Sequence, residues 1–404
     1  MLTKSIRILF CIAFFSSGIQ GQTISQLGQW NNNANFVIKY HQDRVITSTT
    51  SGIQFMDVSD PTNPQPSASL SPPNFFPMAI EVDGNYAYFG GGMFGYFMVA
   101  DISNINFPIQ VGLTNDITGT AYQLAIAGNY AYMPTNSDTL YILDIANKTN
   151  PNTIAKLNLG SFASGITVQG SYAYIGTTGG LKVVDVSNPY APVVVNSLGS
   201  GYGYIAKDVL NQRIFVSKSS GFDVFDISNP TTPTGLFQGI GAGTGGALTY
   251  WNNHIYQVGS SSVSVFSIAS NNCMYMGSYD ATFAGQVNGV TAKDSVFYVS
   301  TVNNLHVLKY GTTIVGVSDV VSTNDIIYNN PIRDVLQISA RNSSGGTIKI
   351  SNSVGQVILT DLLKDDQFEY NLSHYPAGIY FLEIRKEASA RSSYFMKMGG
   401  FPNE

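Results

Sequence analysis

The chain has 404 residues, 44% of them apolar and only 11% charged, with a formal net charge of −5. Sparse charge with an acidic balance offers no basic surface, so nucleic acid is not an expected partner. The 40 Gly and 24 Tyr suit many short strands joined by tight turns in a chain long enough for large cores.

The first 21 residues form a separate unit. Lys4 and Arg7 give a positive start, Ile8 to Phe15 an apolar run containing Cys11, and Ser16 to Gly21 a small, polar exit. This pattern predicts a secretory signal peptide cleaved near Gly21, too short to span a membrane. Its removal leaves Cys273 as the only cysteine, so no internal disulfide is expected. No later apolar stretch has the roughly 18–20 residues a transmembrane helix needs.

From about Phe36 a unit repeats. A strand ends in a phrase such as Val-Asp-Val-Ser-Asn-Pro, and its Asp falls at Asp57, Asp101, Asp144, Asp185 and Asp226. Ser267 and Lys309 take the slot in two degenerate copies, and all seven are spaced by 41 to 44 residues. In the cleanest copy Gly165 to Gln169 makes an inner strand, Ser171 to Gly176 the second, Leu181 to Val186 the third and Val193 to Leu198 the outer one. Four short strands per period of about forty read as a propeller blade, so an all-β, seven-bladed β-propeller is predicted over residues 22–316. Ile24 to Gln29 has the pattern of an outer strand and is expected to pair with the last blade and lock the ring.

The repeated Asp invites a catalytic reading, but a ring places equivalent residues on separate blades. Asp before Ser-Asn-Pro also suits an Asx turn, in which the carboxylate accepts backbone N–H groups, so a structural role is expected. Glu81 is the only Glu between residues 22 and 316, and His41, His254 and His306 are the only His there. No metal-ligand spacing, nucleophile elbow, phosphate loop or calcium loop is present, and neither a cofactor nor a metal is expected.

Departures from the repeat are the better guide to binding. The loops from outer to next inner strand carry Phe75, Phe76, Tyr122, Phe162, Tyr202, Tyr204 and Phe283, with the bare stretch Gly241 to Gly246 beside them. Blade two adds the insertion Gly90 to Tyr96, with Met93, Phe94 and Tyr96. Aromatic faces beside polar groups suit sugar rings or peptide side chains; the competing role for these rings is wedging between blades. The expected protein binds an extracellular glycan or protein as a monomer and is not an enzyme. Rival readings are a lyase or hydrolase using Asp116, Asp280 or Lys207 near the channel, and a structural surface-layer component.

Residues 317–325 read as a linker, and eight of the 20 Lys and Arg follow Gly316. Strand patterns at Val335 to Ile338, Thr347 to Ile350, Gln356 to Leu359, Phe368 to Tyr370 and Ile379 to Ile384 predict a small β-sandwich over residues 326–404.

Two resemblances follow from these residues. Gly180 to Pro189 after Tyr172-Ala-Tyr174 resembles the LVIVD repeat of bacterial surface propellers, which implies a secreted or surface protein and brings no catalytic residues. Tyr328 to Pro331, Ile350 through Gly355, Pro376-Ala-Gly378-Ile-Tyr380 and Lys397 resemble the type A C-terminal sorting domain of type IX secretion. Asn329 replaces the usual first Pro there, and residues 399–404 run past the usual end. That resemblance implies a Bacteroidota host, recognition by the type IX secretion machinery, and release or outer-membrane surface attachment after removal of the signal peptide.

Overall fold

The computed structural model describes residues 23–31, 37–50, 52–72, 75–92, 95–240, 246–269, 272–279, 287–311, 326–328, 334–340, 344–352, 356–376, 378–386 and 389–397. The expected signal peptide lies outside the described residues. Two compact units are present, residues 1–311 and 312–404. Among the described residues all regular elements are strands, and no helix is long and apolar enough to cross a membrane.

Among the described residues the first unit holds seven four-stranded antiparallel sheets. Their inner strands are Ile38–His41, Ala79–Asp83, Ala125–Ala127, Ala163–Gln169, Tyr202–Asp208, Leu248–Trp251 and Val287–Lys293. Each touches the next, and the seventh returns to the first, which closes a ring. We number the sheets as blades 1 to 7 in that order.

Alternation along the strands explains why the blades stack. In Tyr172–Thr177 the methyl of Ala173 enters a core shared with blade 3, and the ring of Tyr174 enters one shared with blade 5. Ala87 and Tyr88 divide in the same way between blades 1 and 3. Successive residues of a strand face opposite sides of its sheet, so Tyr-Ala-Tyr presents a knob on one face and a hollow on the other. The apolar interior is therefore seven seams, one between each pair of neighbours, including a seam of Ile38, Val45, Met56, Tyr298, Leu305 and Val307 that joins blade 7 to blade 1.

The repeated Asp forms the corner expected of it. The N–H two residues on donates to Oδ1 of Asp57 (3.0 Å), Asp101 (2.8 Å), Asp144 (2.8 Å), Asp185 (2.8 Å) and Asp226 (2.7 Å). Hydrogen bonds from that serine hold the carboxyls of Asp57, Asp101, Asp185 and Asp226 below the usual carboxylate range. The N–H after the Asp bonds the preceding hairpin, as Val186 does to Ser171 O at 2.8 Å. The same bond survives in the degenerate copies, from Ile268 to Asn253 O and from Tyr310 to Ser295 O. Blades 6 and 7 thus lose the carboxylate while keeping the backbone link.

Blade 7 takes its outer strand from the other end of the chain, as its pattern predicts. Thr23–Asn31 pairs antiparallel with Asn304–Gly311, from Thr23↔Gly311 to Asn31↔Asn304, with a bulge between Gln26 and Gly28. Ile24 packs into the seam of blades 6 and 7, and Leu27 and Trp30 into that of blades 7 and 1. Gly28 lies against the corner of blade 1: a Cβ there would stand 2.5 Å from Pro61 O and 2.9 Å from Pro64 Cδ. The closing strand therefore needs glycine where it passes its neighbour.

In the second unit, Ile326–Tyr328, Val335–Ala340 and Gln367–Asn371 form one sheet, and Val357–Leu362, Thr347–Asn352, Gly378–Lys386 and Ser389–Lys397 another. Both sheets contribute to one core that includes Leu336, Ile338, Ile348, Ile350, Tyr380 and Leu382.

Candidate binding site at the mouth of the central channel

The inner strands line the channel, and their pairing defines equivalent positions. Lys39, Glu81, Ala125, Thr167, Ala206, Thr249 and Thr291 each oppose the third residue of the neighbouring second strand: Ile46, Tyr88, Tyr132, Tyr174, Phe215, Tyr256 and Tyr298. Five of the seven are small. The other two lie on adjacent blades and form an ion pair, Lys39 Nζ to Glu81 Oε1, at 2.6 Å.

A cavity of about 440 Å³ opens at this level. Lys39, Glu81, Thr249 and Thr291 line it, together with Tyr122, Gln123, Tyr204, Ser260 and Asn288. Backbone and small side chains supply much of the remainder, including Gly246, the one described residue of the bare stretch beside the aromatic loops.

Gln123 shapes one side. Its Oε1 accepts the N–H groups of Ile166 and Ile205, both at 3.0 Å, and its Nε2 donates to Ile205 O at 2.8 Å. The carboxamide thus pairs with the Ile205 backbone as a strand neighbour would and ties blade 3 to blades 4 and 5. Part-buried hydrogen bonds thus fix this wall in place.

The aromatic candidates separate into two groups. Tyr122 and Tyr204 line the cavity, and Tyr122 leans on Phe162 with ring centroids 5.9 Å apart. Burial, with a smaller contribution from Tyr122, pushes the Tyr204 hydroxyl up to about 12, so it stays a neutral donor. Phe75, by contrast, is a core residue of the seam between blades 1 and 2, against which Tyr96 packs at 6.0 Å. Tyr202 donates to Asp223 Oδ2 at 2.8 Å and meets Phe225 edge-on at 5.9 Å. A bulge between Tyr202 and Ile205 is what parts Tyr202 from Tyr204, two residues on. Phe76 is half-buried and Phe162 exposed. Phe94 and Phe283 lie outside the described residues.

Two residues named for the enzyme reading can be located. Asp116 is not at the channel, because Oδ1 accepts Thr114 Oγ1 at 3.1 Å and Thr153 Oγ1 at 2.9 Å, which ties it to the outer strands of blades 2 and 3. Lys207 does lie on an inner strand, and its Nζ donates to Val168 O at 3.0 Å. The side chain is accessible, yet blades wall it in, so desolvation lowers its pKa. The nearby charge of Glu81 works in the opposite direction. Asp280 falls outside the described residues. Among the described residues no three His, Cys, Asp or Glu side chains gather to hold a metal ion.

Of the sorting-signal residues, Gly378 and Lys397 lie in strands, and Pro376 precedes the first of these. Tyr380 is buried and donates to Pro376 O at 2.7 Å. Pro331 and Gly355 lie outside the described residues.

Sequence reasoning missed Lys39, Gln123, Asn288 and Thr291 as lining residues, and noted Glu81 only for its rarity. One signal was available: aligning the inner strands by their hairpins isolates Lys39 and Glu81 in a row otherwise filled by Thr and Ala.

The LVIVD repeat family matches residues 78–116, 118–158, 160–199 and 214–238. Residues 326–397 match the secretion system C-terminal sorting domain. No curated protein matches the chain. Among solved structures the chain is similar to the Cps50 (Swd1) β-propeller domain of Myceliophteria thermophila, at 8% identity and a TM-score of 0.60, over 72% of this chain and 100% of that one. It is similar to BamB from Moraxella catarrhalis at 12% identity and a TM-score of 0.52, over 72% and 98%. The computationally designed Ika8 protein aligns at 14% identity and a TM-score of 0.51, over 70% and 99%. At these identities the likeness shows the propeller fold alone.

Proposed function

We propose, from the premise that this chain is an LVIVD-repeat β-propeller carrying the C-terminal sorting domain of type IX secretion, that it binds an extracellular glycan at the mouth of its channel. The sorting domain assigns the protein to the outer-membrane surface or the medium. The observation that carries the reading is the cavity of about 440 Å³ in which Tyr122 and Tyr204 stand beside Lys39, Glu81, Asn288 and Thr291. Its size falls in the range of about 300–1,000 Å³ typical of small-ligand sites. Flat aromatic faces cover the apolar side of a sugar ring, and fixed polar groups meet its hydroxyls.

Binding rather than turnover is favoured by what surrounds Glu81. It is the sole carboxylate among the described lining residues, and Lys39 holds it in an ion pair. Hydrolysis by paired carboxylates needs a second one across the scissile bond, within about 10 Å.

The test is titration of the full exported chain against a panel of neutral and acidic oligosaccharides, with Tyr122→Ala and Tyr204→Ala in parallel. Loss of an aromatic stacking face is expected to weaken binding roughly tenfold while the melting temperature holds. Undiminished binding by both variants would reject the site. Release of shortened sugars would replace binding by catalysis, and a protein partner binding where no sugar does would replace the glycan.

A further inference from the structure

Resting on the reading that the channel mouth binds a glycan, we propose that the sugar is held through two adjacent free hydroxyls, a vicinal diol, which bridges Lys39 and Glu81. One hydroxyl accepts from the Lys39 ammonium, and its neighbour donates to the Glu81 carboxylate.

Lys39 and Glu81 are the charged residues among the described lining residues of the cavity. The other charged residues of the inner strands are not among those that line it. Asp208 and Lys293 have ion pairs of their own, with Arg213 at 2.8 Å and Asp43 at 3.8 Å, and Lys207 donates to Val168 O. Asp83 ends its strand and is exposed. The five other residues in the row of Lys39 and Glu81 are Ala or Thr, so this pair alone reaches out from it.

Both members keep hydrogen-bonding capacity that the protein does not use. Glu81 Oε1 accepts from Lys39 Nζ at 2.6 Å and from the N–H of Val82 at 3.1 Å, while no described residue bonds Oε2. An ammonium carries three donors, and Lys39 gives one to Glu81 and none to any other described residue. The two side chains are 34% and 28% exposed, so the open acceptor and the open donors are within reach of a ligand in the cavity. An acceptor beside donors selects for a group that can do both. A carboxylate or phosphate only accepts, and it meets Glu81 as a like charge; an amine only donates, and it meets Lys39 as one. Each hydroxyl of a vicinal diol can accept or donate, so the diol satisfies both residues without parting them, through charge-assisted bonds. Tyr122 and Tyr204, which come from other blades, are left to cover the face of the ring while the ion pair reads its edge.

The test uses methyl glycosides of the β-1,4-linked trimers of glucose, mannose and galactose. Each is compared with its 3-deoxy counterpart, which has no two adjacent free hydroxyls, and its 6-deoxy counterpart, which loses a hydroxyl elsewhere and keeps the diol. Titration calorimetry of the full exported chain should find the tightest-binding trimer weakened roughly tenfold or more by 3-deoxygenation and little by 6-deoxygenation. The double variant Lys39→Met/Glu81→Leu removes both charges together and leaves neither unpaired. It should bind the parent and the 3-deoxy trimer with nearly equal affinity, whereas a merely structural change would weaken both and leave their ratio as it was. Should the double variant fail to fold, Glu81→Gln, which puts a donor where the open acceptor stood, should still shrink that ratio. Equal affinity for parent and 3-deoxy trimer, or a ratio that survives these substitutions, would overturn the diol assignment while leaving the glycan reading intact. Binding confined to sugars with an acidic group, or to sugars without adjacent free hydroxyls, would do the same. No binding across the whole panel would reject both.

Discussion

Acidification should loosen the propeller at a particular residue, His306. It lies on the strand of blade 7 that the N-terminal strand covers; it is buried, and its Nδ1 is 3.4 Å from Gln26 Oε1. Burial lowers its pKa from 6.5 to about 4. Above pH 6.5 the imidazole is neutral both folded and unfolded and costs nothing. As pH falls through that value the unfolded chain takes up a proton that the folded protein refuses, so stability declines until about pH 4, where the folded protein is protonated too. One pKa unit corresponds to about 1.4 kcal/mol, so the full loss is about 3 kcal/mol, and at about pH 5 it is near 2 kcal/mol. His306→Gln provides the control, because blade 1 carries Gln54 at the equivalent position, donating to Ala68 O at 2.7 Å. Calorimetric scans at about pH 7 and pH 5 should show the native protein losing on the order of 5 °C more than the variant. His41, whose pKa is also lowered by burial, titrates in both proteins and cancels in the difference. Equal losses in the two proteins would refute the assignment of this acid sensitivity to His306.

Two further outcomes follow from the ring's closure and from the second unit. Gly28→Val places side-chain atoms against Pro61 and Pro64 and should cost about 1–3 kcal/mol as an overpacked contact; an unchanged melting temperature would mean the strand shifts freely over its neighbour. Deleting residues 326–404 should leave the chain inside the cell envelope, and its undiminished arrival at the surface or in the medium would deny those residues their sorting role.

The fold was legible in the sequence because its determinants are local and repeated. Tyr172-Ala173-Tyr174 states its alternation within three residues, and Asp185-Val-Ser-Asn-Pro189 carries its own hydrogen-bond acceptor, so each blade declares itself without its neighbours. The site is assembled from residues far apart in the chain. Lys39 and Glu81 meet only because adjacent inner strands converge, and Gln123 bonds Ile205 across a separation of 82 residues. Tyr202 and Tyr204 are near neighbours in sequence, yet a bulge sends one to Asp223 and leaves the other at the channel. Aromatic content in a loop could not separate Phe75, which fills a seam, from Tyr122, which faces the cavity. That difference is set by which neighbouring surface each ring meets after the ring of blades has closed.

Were the exported protein tethered to a cell through its C-terminal side, the propeller would receive the mechanical load at Gly311. That residue ends Asn304–Gly311, which is flanked by Val296–Thr301 on one side and the N-terminal strand on the other. Ladder hydrogen bonds run across the strands, so a pull in line with this strand shears both ladders together instead of peeling bonds one at a time. With the propeller's first strand clamping its last, traction on such an anchor would be shared by two rows of bonds at the point where a linear chain would fray.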